Sequence, residues 1–170
     1  MNKKLKNTLI ALAALVLIGI SISSCMAILP KANMKPSDYD LGVTLEQASA
    51  EDKPIIGVFY VDWCTYCKRF MPKLDKVRNI NKNDVNVVLI NVENPANEKI
   101  AKEYRISGYP TVYIMDPGYD NRVHIDSAYL DTVDSLNKEV QRYLAFRKLV
   151  KKLNPVKNNI LTIERSCLCQ

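Results

Sequence analysis

The stretch Ile55-Ile56-Gly57-Val58-Phe59-Tyr60-Val61-Asp62-Trp63-Cys64-Thr65-Tyr66-Cys67-Lys68 decides how this chain is read. Ile55 to Val61 is a short β-branched and aromatic run preceded by Lys53-Pro54, the pattern of a buried strand. Cys64 falls where that strand gives way to a helical pattern. A helix N-terminus presents unpaired N–H groups and positive potential, which favour a thiolate at the first cysteine. Cys67 falls one turn deeper, within reach of a mixed disulfide formed on Cys64. Two cysteines at this spacing also suit an inert disulfide or a shared metal. Zinc wants four ligands, however, and the other paired cysteines are the distant Cys167-Leu168-Cys169. The single histidine, His124, removes most histidine-based metal, haem and general-base schemes. The pattern points to dithiol exchange.

The leader sets the compartment. Lys3, Lys4 and Lys6 precede an apolar stretch from Leu9 to Ile22, the form of a secretory signal over residues 1–24 or of an N-terminal anchor. It is short for a full span. Ile22-Ser23-Ser24-Cys25 resembles the bacterial lipobox, which implies cleavage before Cys25 and lipidation of that residue. Export permits disulfides to persist. Loss of residues 1–24, with three lysines and no acid, takes the formal net charge from +6 to +3. So small a balance argues against a nucleic-acid partner, which would want a concentrated basic stripe. A lipidated Cys25 leaves four of the five cysteines, Cys64 with Cys67 and Cys167 with Cys169. The second pair reads as structural or incidental, as auxiliary thiols feeding the first pair, or as two metal ligands. One intervening residue makes a strained ring if bridged internally, so pairing at long range or between chains is an equal reading.

Residues 25–43 read as a tether, with Pro30 and Pro36 and little periodicity, the domain as 44–153, and 154–170 as a tail. A short helix is expected within Leu41 to Ala50, capped by Thr44 with Gln47 at the third helical position. The next helix runs from Cys64 towards Arg78, with Phe70, Leu74 and Val77 on one face and an interruption at Pro72. Val85 to Val92 reads as a second buried strand, and Pro95 opens a helix to Tyr104 with Gly108 at its exit. Thr111 to Met115 and Arg122 to Ile125 read as a hairpin across Asp116-Pro117-Gly118. A last helix is capped by Asp131 with Asp134 and carries Val133, Leu136, Val140, Leu144 and Val150 as its apolar stripe. This order predicts an α/β domain with a central mixed sheet flanked by helices. No glycine-rich fingerprint follows either parallel strand, which sets dinucleotide binding aside.

From Thr44 to Leu153 the chain resembles a thioredoxin-like domain. Phe59 to Lys68 is similar to that family's active-site segment, and Ser107-Gly108-Tyr109-Pro110-Thr111 to its cis-proline loop. Asp62-Trp63-Cys64 and Lys53-Pro54 look most like the domains of exported or membrane-tethered bacterial thiol reductases. The resemblance implies that Cys64 attacks, Cys67 resolves, and Trp63, Thr65, Tyr66, Tyr109 and Pro110 meet the substrate, with Tyr109-Pro110 cis. It implies disulfide-containing proteins as substrates and an upstream thiol-disulfide donor or acceptor, with no cofactor and no metal. Position 58 departs from the family, since valine stands where a buried aspartate commonly assists the resolving cysteine. Thr65-Tyr66 likewise departs from the Gly-Pro of thioredoxin. Lys68 reads as a thiolate partner or a solvated helix lysine, and Asp62 and His124 as surface and sheet residues. The competing expectation is a redox-inactive module that holds an envelope protein in the same groove.

Overall fold

All six residues of β1, Ile55–Tyr60, are buried, because this strand lies inside the sheet and is covered on both faces. The molecule is seen in a computed structural model that describes residues 34–153. The leader, Cys25, Cys167 and Cys169 lie outside the described residues. β2 (Asn86–Asn91) pairs parallel with β1, from Ile55 opposite Asn86 to Tyr60 opposite Asn91. β3 (Thr111–Asp116) pairs antiparallel on the other side, with Ile55 opposite Met115 and Phe59 opposite Thr111. β4 (Asn121–Ile125) closes the hairpin, giving the order β2-β1-β3-β4 in one mixed sheet.

Side chains alternate along β1, so Ile55, Gly57 and Phe59 serve one face and Ile56, Val58 and Tyr60 the other. On the first face Ile55 and Phe59 pack with Ala48, Val88, Ile90 and Met115, and with Leu45 of α1 (Leu45–Ser49) and Ile100 of α3 (Glu98–Glu103). A Cβ at Gly57 would fall 2.0 Å from Met115 Cε, so the methionine fills the space that glycine leaves. On the second face lie α2 (Thr65–Asn81), with buried Phe70, Leu74 and Val77, and α4 (Val133–Leu153), with buried Leu136 and Val140. Asn81 stitches these two helices together, donating to Asn137 Oδ1 at 2.8 Å and accepting from Gln141 Nε2 at 2.6 Å. Truncating a fully buried residue such as Leu74 would cost about 2–5 kcal/mol.

Several local expectations are corrected. The chain joins the domain before Thr44: Tyr39 and Leu41 are buried, Val43 N–H donates to Val87 O at 3.2 Å, and a Cβ on Gly42 would collide with that carbonyl. This segment therefore packs against β2. α2 continues past Arg78 to Asn81 with Pro72 inside it, so proline removes one N–H donor without ending the helix. Pro95 begins a 3₁₀ turn, Pro95–Asn97, that leads into α3. That helix stops on Arg105, at φ 50°, rather than on Gly108; Arg105 N–H reaches Lys102 O and Ile106 N–H reaches Ala101 O, the paired bonds of a Schellman ending. α4 is capped by Thr132 and Ser135, each side-chain oxygen accepting the other residue's N–H, and not by Asp131 and Asp134. The Thr44–Gln47 capping pair of α1 is present. Among the described residues no helix is long and apolar enough to cross a membrane.

Candidate active site

β1 and β2 run parallel, so the segments that follow them leave from the same end of the sheet. β3 is antiparallel to β1 and begins at that end, which brings Tyr109 and Pro110 beside the start of α2. Cys64 is the N-cap of α2, with extended backbone at φ −69° and ψ 115°. Its Sγ accepts the Cys67 N–H at 3.2 Å and its thiol donates to Tyr109 O at 3.4 Å. A sulfur in the N-cap position faces the positive end of the helix and one of its unpaired donors. Cys64 is 6% exposed and Cys67 fully buried, and both are free thiols.

Burial, reinforced by the hydrogen bond with Cys64, pushes the Cys67 thiol from an ordinary 9.0 up to about 12. Cys67 thus keeps its proton at neutral pH until something accepts it. Val58 offers no acceptor, being fully buried between Leu89 and Val112. Tyr60 lies on the same face of β1, and burial, then the charges of Asp62 and Cys67, raise its hydroxyl above the ordinary value, so it holds its proton too.

Aromatic residues form the rim. Trp63 and Tyr66 are 67% and 71% exposed, large apolar surfaces that folding leaves in water. The Trp63 indole stands edge-on to Tyr109, with ring centroids 6.2 Å apart, and its Nε1–H donates to Glu93 Oε1 at 2.9 Å. The Tyr109–Pro110 peptide bond is cis. Thr65 is exposed at the first position of α2. Cys64, Cys67, Trp63, Thr65, Tyr66, Tyr109 and Pro110 are therefore gathered at one end of the sheet.

Asp62 and Glu93 carry more than the sequence reading gave them. Asp62 accepts from Ser37 N–H at 3.0 Å and Ser37 Oγ at 2.9 Å, tying the incoming chain to the active-site loop. Glu93 was legible from topology alone, since it follows β2 just as Trp63 follows the parallel β1. His124 sits on β4 away from the cysteines, edge-on to Tyr113 at 5.1 Å. Among the described residues no group of three or more His, Cys, Asp or Glu side chains is placed to hold a metal ion.

The thioredoxin family model matches residues 36–142. Probable protein disulfide-isomerase ER-60 of Schistosoma mansoni is 34% identical over 73 residues, which cover 43% of this chain and 15% of that protein. Thioredoxin-like protein HCF164, chloroplastic, of Arabidopsis thaliana is 34% identical over 71 residues, covering 42% of this chain and 27% of the relative. The chain thus spans under a third of the length of either relative. Chloroplastic thioredoxin z superposes with a TM-score of 0.51 at 22% identity, over 61% of this chain and 92% of that one, a likeness of fold.

Proposed function

The chain belongs to the thioredoxin family, and on that footing we propose that it is a thiol-disulfide oxidoreductase acting on proteins outside the cytoplasm. One observation carries the reading: Cys64 Sγ caps α2 beside the Tyr109 carbonyl, with buried Cys67 one turn behind it. The Cys64 thiolate attacks one sulfur of a substrate disulfide, and the other substrate sulfur leaves as a thiolate. Cys67 then gives up its proton and attacks Cys64 Sγ, expelling the second substrate sulfur. Two electrons pass to the substrate, and a Cys64–Cys67 disulfide remains until an upstream dithiol reduces it. The relatives named disulfide-isomerase support protein substrates. An insulin-type reduction assay tests the scheme: Cys64→Ser is expected to be inactive and Cys67→Ser to accumulate a mixed disulfide. Normal turnover by both variants would overturn it.

For the compartment, the support is the charged and apolar leader ending in Ile22-Ser23-Ser24-Cys25. The proposal is a bacterial lipoprotein of the cell envelope, held to the membrane through Cys25, with the domain acting as a reductase. Intact-mass analysis of the mature protein would show loss of residues 1–24 and acyl mass on Cys25. An N-terminus that still carries Met1 or Asn2 would replace lipidation with an uncleaved anchor.

A further inference from the structure

A groove of about 530 Å³ opens beside the cysteines, between α2 and the loops at the same end of the sheet. One wall is a single helical stripe, Tyr66, Arg69, Phe70 and Lys73, spaced three, four and seven residues from the first. The opposite wall is the Tyr109–Pro110 loop and the 3₁₀ turn Ser127–Leu130. Phe70 and Leu130 are buried and give the groove an apolar floor, while Tyr66 stands exposed at the Cys64 end. A channel of this kind, leading away from the reactive sulfur, has the form of a seat for an extended polypeptide.

Its charge is uneven. Lys73 Nζ donates to Leu130 O at 3.2 Å, which holds that ammonium against the turn, and Asp131 is the acidic residue of the lining. Arg69, one turn nearer Cys64, is exposed and has no ion-pair partner among the described residues. Five residues of helix place it about 7.5 Å along the axis from Cys64. An extended peptide covers that distance in about two to three residues.

We propose that Arg69 makes this groove selective, favouring substrates with Asp or Glu two or three residues from the reactive cysteine. The proposal rests on the exchange reading above. Its test uses the whole protein and two disulfide-bearing peptides that differ only in Glu or Lys at those positions, with exchange rates measured at low and at 1 M salt. The Glu peptide is expected to react about two- to fivefold faster at low salt, the range of an exposed charge pair. High salt should bring the ratio towards one. Arg69→Glu should invert the ratio, and because both peptides meet the same variant, any general change in its folding or thiol reactivity cancels. Equal rates for the two peptides, or a preference that Arg69→Glu leaves untouched, would overturn the selection while leaving exchange intact. No exchange with either peptide would overturn the exchange reading and the selection with it.

Discussion

The Sγ of Cys64 accepts the backbone N–H of Cys67 at 3.2 Å, so the residue proposed to resolve also holds, through its main chain, the sulfur proposed to attack. A side-chain change at Cys67 leaves that bond in place. Cys67→Ser is therefore expected to form the mixed disulfide at close to the parent rate and then stop. Quenched mass spectrometry of the covalent complex measures this. A large loss in the first step would show that the Cys67 thiol, and not its N–H, activates Cys64.

Resolution should depend on pH. Burial is the largest cause that lifts the Cys67 thiol above its ordinary 9.0, and it persists once Cys64 is tied up in a mixed disulfide, so few molecules carry the resolving thiolate at neutral pH. The second step is expected to speed up about tenfold per pH unit between pH 6 and 9. A pH-independent rate would mean that thiolate formation is not limiting.

The same shift has a stability consequence with a definite sign. The folded thiol titrates above its ordinary 9.0, so the unfolded chain loses its proton first. The stabilisation is fully present below about pH 9 and is lost as pH rises towards 12, at a slope on the order of 1.4 kcal/mol per unit. Denaturation of the reduced protein at pH 8 and 10 should show this decline, and Cys67→Ala should lack it. Equal declines in both would assign it to other groups.

Much of this arrangement is legible in the sequence because it is local. The run Ile55 to Val61 followed by Cys64 and Cys67 states a strand, a helix start and two thiols without any long-range information. Tertiary contacts hid the rest. Pro36, Tyr39 and Leu41 read as tether because three apolar residues among polar ones carry no period, yet each is buried once β2 and the Asp62 loop are in place. Thr132 and Ser135 were missed as a cap because the neighbouring Asp131 and Asp134 have the same spacing. Arg69 and Lys73 look like ordinary solvated helix residues until the turn Ser127–Leu130 is laid opposite them.

Val58→Asp asks whether the missing carboxylate limits resolution. The site is fully buried, so the new acid would cost on the order of 3–5 kcal/mol of stability if left unpaired and ionised. Where the variant still folds, stopped-flow measurement should find faster mixed-disulfide resolution near pH 7. An unchanged rate in a folded variant would assign the proton to solvent or another group.

Trp63 is the single tryptophan, so intrinsic fluorescence reports on the rim of the site. Its indole N–H donates to Glu93 and its ring meets Tyr109 edge-on. Glu93→Leu should shift and broaden Trp63 emission. It should lower kcat/KM for a protein substrate by about two- to fivefold, the worth of one exposed hydrogen bond, while leaving small disulfides less affected. An unmoved spectrum would mean that the bond does not orient the ring.

The opposite end of the sheet offers a separate test of what holds the domain together. Asp116 ends β3 at 1% exposure, and its Oδ2 accepts from Arg147 Nε at 2.7 Å and from the Tyr143 hydroxyl at 3.1 Å. Its Oδ1 has no hydrogen-bond partner among the described residues, so the arginine supplies most of what the buried charge receives. Arg147 also pairs with Asp52, which Lys151 reaches at 3.0 Å, and its guanidinium lies 5.3 Å from the centre of the Tyr119 ring. The exposed part of this network is worth little, but the Asp116 pair is not exposed. Arg147→Met keeps much of the side-chain bulk and strands the carboxylate, which should cost about 3–5 kcal/mol. Adding Asp116→Asn should recover part of that loss, because the group left behind is neutral. Chemical denaturation of the two single variants and the double variant measures the coupling. Exchange activity per folded molecule should be unchanged, since Asp116 and Cys64 lie at opposite ends of the sheet. A loss below about 1 kcal/mol for Arg147→Met would mean that water or Tyr143 alone satisfies Asp116.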